Sequence, residues 1–431
     1  MHRAPSLRRP LVAAALLLAL PLAVPAASAT ASAPAAGPSA GHVRGHDTSA
    51  PTSTVATGPV EQVCAAPAPG HATCLAQRVV PAASTAVDPL LSPARSPRHG
   101  LRAPLVIPGR TPVDIQSAYG LTGLSASGRT VAIVDAYGYP NAERDLAVYR
   151  AQFGLPACTK ANGCLKILSQ TGATTGLPAF NLGWAGEQAL DLDAVSAACP
   201  SCSILLVQAK SATFADLGTA VNTAATQPGV VAISNSYGGG DAPDSRYGAP
   251  YHHPGIAVTA STGDSGYRGA SYPASSQWVV AVGGTTLTPS TSSARGWSET
   301  AWSGSGSGCS TYNKAPVGQT QAMTRCAGRA MADVSAVADP RTGLAVYAPS
   351  SSSGAGWGQY GGTSLSSPVV AAAFALSGNT AGEAPSIPYA NPGAFNDVST
   401  GANGSCLTMC RTAKGWDGPT GLGSPNGVAG L

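Results

Sequence analysis

From Arg129 to Leu287, short runs rich in β-branched residues alternate with stretches of helical character, and this alternation is the tightest constraint on the fold. "RTVAIVDAYG", "SILLVQA", "GVVAISNSYGGG", "IAVTASTGDSG" and "WVVAVGGTTL" read as strands, while "NAERDLAVYRAQFG", "QALDLDAVSAAC" and "SATFADLGTAVNTAAT" read as helices. The strand runs lack the period-two alternation of apolar and polar residues that a half-exposed strand needs. Strands of this kind, separated by helices, belong to a parallel sheet covered on both sides. The expected class is α/β, a three-layer fold with a mainly parallel central sheet and helices on both faces. Ligands of such sheets bind at the carboxyl ends of the strands. "DAYG", "SNSYGGG" and "STGDSG" fall at those ends.

Outside that region the chain reads differently. Residues 1–29 carry a basic start (Arg3, Arg8, Arg9), an apolar run and a closing "ASA", the pattern of a secretory signal, so a secreted, extracellular protein is expected. No later run is both apolar and long enough to cross a bilayer, so no membrane association is expected once the signal is removed. Residues 30–104 are rich in Ala, Pro, Ser and Thr and read as a leader or linker with no fold of its own and one short Cys-closed loop. Order is expected to begin near "PLVIPGRTPVDIQSAYGL", giving a domain of residues 105–431.

The ten cysteines fall into neighbouring pairs, Cys64 with Cys74, Cys158 with Cys164, Cys199 with Cys202, Cys309 with Cys326 and Cys406 with Cys410. In an exported chain this reads as disulfides, although spacing does not fix connectivity. Cys199 and Cys202 could instead be a redox pair or half a zinc site, but no second pair stands at zinc-ribbon spacing. Only 10% of residues are charged, and the first 110 hold nine arginines against three acids, leaving the body slightly acidic. No basic cluster is large enough for nucleic acid. A body so poor in charge limits self-repulsion when carboxylates protonate, which suits acid.

Three motifs carry the chemistry. In "QYGGTSLSSPVVAAAFAL", Ser364 stands at the start of an apolar helix whose early Pro368 fits a first turn. The positive end of the helix dipole favours an anion developing there, although a plain N-cap serine reads the same way. Serine needs a base. Past Gly100 the only histidines are His252 and His253 in "YHHPG", which reads as a turn. Glu187 and Asp191, at i and i+4, meet on one helix face, and two close carboxylates hold a proton between them over some range. Glu187 could take the serine proton while Asp191 orients it; Asp193 points elsewhere. The alternative, a solvated acidic face, conflicts with the apolar residues around the pair. In "STGDSG", Asp264 follows a strand between glycines that permit close backbone approach, and when protonated it could donate to an oxyanion. Taken alone, it is equally an Asp in a turn.

In chain order, ExxxD, GDSG and GTS before a helix resemble the sedolisins, serine-carboxyl peptidases with a subtilisin-like fold. The resemblance runs from about Leu105 to the C-terminus and includes "SNSYGGG", "SYPASSQWVVAVGGTTL" and "MADVSAVADPRTG". It implies a catalytic triad of Glu187, Asp191 and Ser364, with Asp264 completing an oxyanion hole. In "FNDVSTGANG" and "AKGWDGPTGLGSPNG" it implies one structural Ca²⁺, held by the side chains of Asp397 and Asp417 and the carbonyls of Val398, Ala413 and Gly415. Such an all-oxygen set suits a hard cation. Three features depart from the family pattern: Cys406 and Cys410 inserted between those halves, a short leader in place of a large pro-region, and Asp135 standing where a subtilisin catalytic Asp would. The expected activity is that of an exported, monomeric endopeptidase favoured near or a unit above pH ~4, where carboxylates titrate. Its protein or peptide substrate is expected to lie extended along "SNSYGGG". A subtilisin-like hydrolase using Asp135 with His252 or His253, and an inactive secreted binding module, are the alternatives.

Overall fold

The computed structural model describes residues 54–68, 70–80, 106–126, 128–379 and 381–431. The expected signal and most of the leader lie outside them. The described chain falls within one unit, Pro51–Leu431.

Three short strands come first: β1 (Val60–Gln62), β2 (Thr73–Cys74) and β3 (Gln77–Val79). The alternating region follows with α1 (Pro112–Ala118), β4 (Thr130–Ala136), α2 (Ala142–Gln152), β5 (Leu165–Ser169), α3 (Leu182–Ala198), β6 (Ser203–Ala209), α4 (Phe214–Ala225), β7 (Val230–Asn235) and β8 (Tyr237–Gly240). Next are α5 (Asp244–Tyr247), β9 (Ala257–Ser261), β10 (Ser271–Tyr272), β11 (Val280–Pro289), β12 (Trp297–Ala301), β13 (Gly308–Cys309), α6 (Gln321–Thr324) and β14 (Ala330–Met331). Then β15 (Val334–Val337), β16 (Leu344–Pro349), β17 (Ala355–Gly361) and α7 (Thr363–Ser377) lead into a loop-rich tail.

The central sheet runs β12-β11-β9-β7-β4-β6-β5, with β15 also pairing β11. Every pairing is parallel except β11 with β12. Both faces are covered. On β4, Val131 and Ile133 pack into the core under α3 and α7, while Ala132 and Val134 pack into a second core with α4. This two-sided burial is why the strand sequences show no alternation.

The reading of residues 30–104 as a leader without a fold does not hold for residues 54–80. There β3 pairs with β17 and β2 with β8, and Ala72, Cys74, Ala76 and Val79 are 3% exposed or less. The composition argument fails because this segment is held by backbone bonds to existing strand edges rather than by a core of its own. Its small side chains fit against glycine-rich β8.

All five neighbouring cysteine pairs are disulfides, and Cys199–Cys202 is a buried structural bridge. Deeper still, the Arg329 guanidinium clasps both oxygens of Asp333, each residue wholly buried. Ala281 N and Tyr389 Oη also donate to that carboxylate, at 2.7 and 2.6 Å.

Candidate active site

Helix α3 is capped by Asn181, whose side chain accepts from Trp184 N at 3.1 Å. One turn further in come Glu187 and Asp191, both 0% exposed, so the solvated-face alternative is overturned. Glu187 Oε2 accepts a hydrogen bond from Ala76 N at 2.8 Å, and Oε1 has no hydrogen-bond partner. Asp191 Oδ1 accepts from Ser236 Oγ at 2.8 Å, and its other oxygen also lacks one. Asp135, at the end of β4, is fully buried with neither oxygen bonded. Burial pushes all three carboxyls well above the ordinary range, and the neighbouring Asp135 charge pushes Glu187 and Asp191 further. Buried carboxyls in such contact titrate as one set rather than singly. Asp193 lies apart, accepting from Tyr347 N at 2.9 Å.

Ser364 is the second residue of α7, entered through Gly362 at φ +94°, a conformation that disfavours any side chain. Pro368 is the sixth helical residue, not a first-turn one as the sequence reading had it. Lacking an N–H, Pro368 leaves the Ser364 carbonyl without its usual helical donor, and Ser236 Oγ, whose one proton has its shorter contact with Asp191, lies 3.3 Å from that carbonyl. Ser364 Oγ in turn donates to Ser236 O at 3.3 Å and stands close enough to Glu187 to favour its charged form. Ser236 therefore joins Asp191 to the serine. The sequence quoted this residue inside "SNSYGGG" but assigned it nothing.

Asp264 follows β9 and faces the same helix end. Its Oδ1 accepts from Thr363 N and Thr363 Oγ1, both at 2.8 Å, and Thr363 Oγ1 accepts from Gly263 N at 3.1 Å. Its Oδ2 is buried without a hydrogen-bond partner. Burial raises the Asp264 carboxyl to about 7, so in acid it is neutral and Oδ2 can carry a proton to donate. The Asp264 charge also acts on Glu187. Glu187, Asp191, Ser364, Asp264 and Asp135 thus form one buried cluster, bonded to Ser236 and Thr363, which no local motif singles out.

His252 and His253 lie elsewhere. His252 stacks on Trp278 with ring centroids 3.7 Å apart and pairs with Glu383 at 2.9 Å, and His253 Nε2 meets Pro250 O.

In the tail, Gly415 N donates to Asp397 Oδ2 at 3.0 Å, joining the 397–398 and 413–417 loops, and Ala413 N donates to Asp417 Oδ2 at 3.2 Å within the second of them. Asp417 is fully buried, and burial, with the Asp397 charge as a smaller cause, raises it to about 7. Two repelling carboxylates among turn carbonyls make an oxygen donor set that a hard cation would relieve. Among the described residues no group of three or more His, Cys, Asp or Glu is arranged to hold a metal ion, so carbonyls such as those of Val398, Ala413 and Gly415 would have to complete any such site. The Cys406–Cys410 bridge stands between the two halves.

No family model matches the chain. It is 30% identical to kumamolisin of Bacillus sp. (strain MN-32) over 358 residues, 74% of this chain and 62% of that protein. It is 28% identical to sedolisin of Pseudomonas sp. (strain 101) over 368 residues, 73% of this chain and 60% of that protein. The chain therefore spans less than two thirds of these relatives' own length. Its fold matches a solved structure of Pseudomonas sedolisin, a serine-carboxyl proteinase complexed with two molecules of pseudo-iodotyrostatin. That match has a TM-score of 0.60 and 26% identity and covers 75% of this chain and 96% of that one. Over most of the chain's length, sequence and fold both point to the sedolisin family.

Proposed function

We propose that this chain is a secreted, monomeric serine-carboxyl endopeptidase favoured at acid pH. The observation that carries this reading is the cluster itself: a buried serine at a helix start, beside buried carboxyls, its hydroxyl donating to the Ser236 carbonyl. Ser364 Oγ attacks the substrate carbonyl, and Glu187 accepts its proton and later delivers it to the leaving amine. Asp191, fixed by Ser236, holds Glu187 in place and shares its charge. Neutral Asp264 donates to the oxyanion together with backbone N–H groups at the start of α7. A protein or peptide substrate lies extended along β8 in the place that β2 holds here, since β10 pairs its other side, and bonds through its backbone. Asp397 and Asp417, with the carbonyls of Val398, Ala413 and Gly415, would hold one structural Ca²⁺, which binds the two tail loops together.

The test is Ser364→Ala in purified protein, assayed on a denatured protein substrate across pH, with and without chelator. Activity should peak in acid and fall about 10³-fold or more in the variant. Retained activity, or an alkaline peak, would overturn the reading. Chelator should lower the thermal midpoint, and an unchanged midpoint would dismiss the cation.

A further inference from the structure

The loop that carries Asp264 is held from two sides. Toward α7, Asp264 Oδ1 takes both donors of Thr363. Away from α7, backbone bonds fasten the residues flanking Asp264 to the strip 303–307 and to the tail. Gly263 O accepts from Gly306 N at 2.7 Å, Gly266 N donates to Gly304 O at 2.8 Å, and Tyr267 N donates to Asn403 O at 3.0 Å. The approach is close: a side chain at Gly306 would overlap Thr262 O, and one at Gly266 would overlap the carbonyl oxygens of Asn403 and Ser303. The strip is fixed in turn by the Asn403 side chain. Its Nδ2 donates to Ser305 O at 2.6 Å and to Ser307 Oγ at 2.8 Å, so one amide straddles Gly306, the residue bonded next to Asp264. Asn403 is 7% exposed, and its Oδ1 is buried without a hydrogen-bond partner. The Ser305 carbonyl can only accept, so the amide nitrogen must face it. An amide oxygen buried unpaired is unfavourable, so the two donated bonds are what justify placing this residue inside. Asn403 N donates to Cys410 O at 2.9 Å, and Ser307 Oγ donates to Met409 O, which ties the loop closed by Cys406–Cys410 to the same strip.

We propose that Asn403 is a positioning residue of the oxyanion site: by bracing Gly306 and Tyr267, it holds the Asp264 loop in register with Ser364. This rests on the peptidase reading above and deepens it. The bonds of Asn403 go to Ser305, Ser307, Tyr267 and Cys410 rather than to the cluster, so what it contributes to rate passes through Asp264. Thr363 fixes one oxygen of that carboxyl. The peptide units on either side of Asp264 can still tilt if Gly306 moves, and Oδ2, which has no partner to restrain it, tilts with them. A donor to an oxyanion works only within hydrogen-bond reach of the place where charge develops. Displacing Oδ2 therefore weakens the transition state and leaves the substrate complex along β8 unchanged. Lost bracing appears in kcat and not in KM.

The test is a double-mutant cycle on the purified protein, with kcat and KM measured in acid on a fluorescently labelled denatured protein and folding checked by the thermal midpoint. Asn403→Ala removes both side-chain bonds and keeps the backbone ones. It should lower kcat about tenfold, with KM within about threefold of wild type. On an Asp264→Ala background the same change should lower kcat less than about twofold, because the group through which it acts is already gone. Asn403→Ser, whose hydroxyl restores one donor, should lie between and keeps the comparison valid should alanine fold poorly. Leu407→Ser, at an exposed position of the neighbouring disulfide loop, should match wild type. An equal loss on both backgrounds would make Asn403 a purely structural residue and overturn the proposal. Wild-type kcat in Asn403→Ala, a loss confined to KM, or a comparable loss in Leu407→Ser would overturn it too. In each of these cases wild type still digests the substrate while Ser364→Ala does not, and the peptidase reading stands. An inactive wild type, or activity retained in Ser364→Ala, would sink the two together.

Discussion

Asp264→Asn isolates the proton on which the proposed oxyanion site depends. The side chain keeps its shape: its oxygen can still accept from Thr363 N and Oγ1, and an amide nitrogen replaces the oxygen that now lacks a hydrogen-bond partner. What the substitution removes is ionisation. Burial raises the carboxyl from 3.8 to about 7. Below the unfolded value the group is neutral in both states and does not affect stability. Between the two values only the unfolded chain ionises it, so the folded state weakens as pH rises. Above the folded value the loss is complete, about 4 kcal/mol at 1.36 kcal/mol per pH unit. Asparagine has no such dependence. On a Ser364→Ala background, which prevents self-digestion, urea unfolding should give stabilities within about 1 kcal/mol of each other at pH 4, with Asp264→Asn more stable by about 4 kcal/mol at pH 8. A difference that does not change with pH would refute the claim that this carboxyl is held neutral. With Ser364 intact, Asp264→Asn keeps a donor and should retain most activity in acid, whereas Asp264→Ala should lose about 10²-fold or more.

Other substitutions test other parts of the argument. Replacing His252 and His253 together by alanine should leave kcat/KM in acid within about threefold of wild type, because their bonds go to Glu383 and Pro250; a collapse of activity would restore an imidazole mechanism. Asp333→Asn leaves the Arg329 guanidinium buried without its counter-charge and should cost about 3 to 5 kcal/mol in urea unfolding. A loss under about 1 kcal/mol would mean that the pair is not the anchor its burial implies.

Much of this molecule can be read from the chain because its strongest signals are local. Two-sided burial leaves its mark on each strand, so the central sheet follows from "TVAIVDA" and "SILLVQA" without long-range information. The i, i+4 spacing of Glu187 and Asp191, and the turn into α7, are likewise contained in a few residues. Each cysteine bonds to its neighbour in sequence, a connectivity that spacing alone left open. What escaped the sequence depends on meetings between distant segments. Ser236 matters because β7 ends beside α7, and nothing in "SNSYGGG" singles out one of its two serines. Pro368 lies one turn inside a helix that starts within a residue of Ser364, and the carbonyl it frees faces Ser236, a meeting that no local residue announces. Residues 54–80 were passed over because a low-complexity stretch carries no core of its own, and its order comes from strand edges supplied by residues far along the chain.

The bridges close rings of 10, 6, 3, 17 and 4 residues' separation. Each constrains a single loop, where the entropic gain is at its smallest, and none ties one sheet strand to another. Thiols therefore find their partners without waiting for the global topology, and a reductant should loosen the rim before it disturbs the sheet.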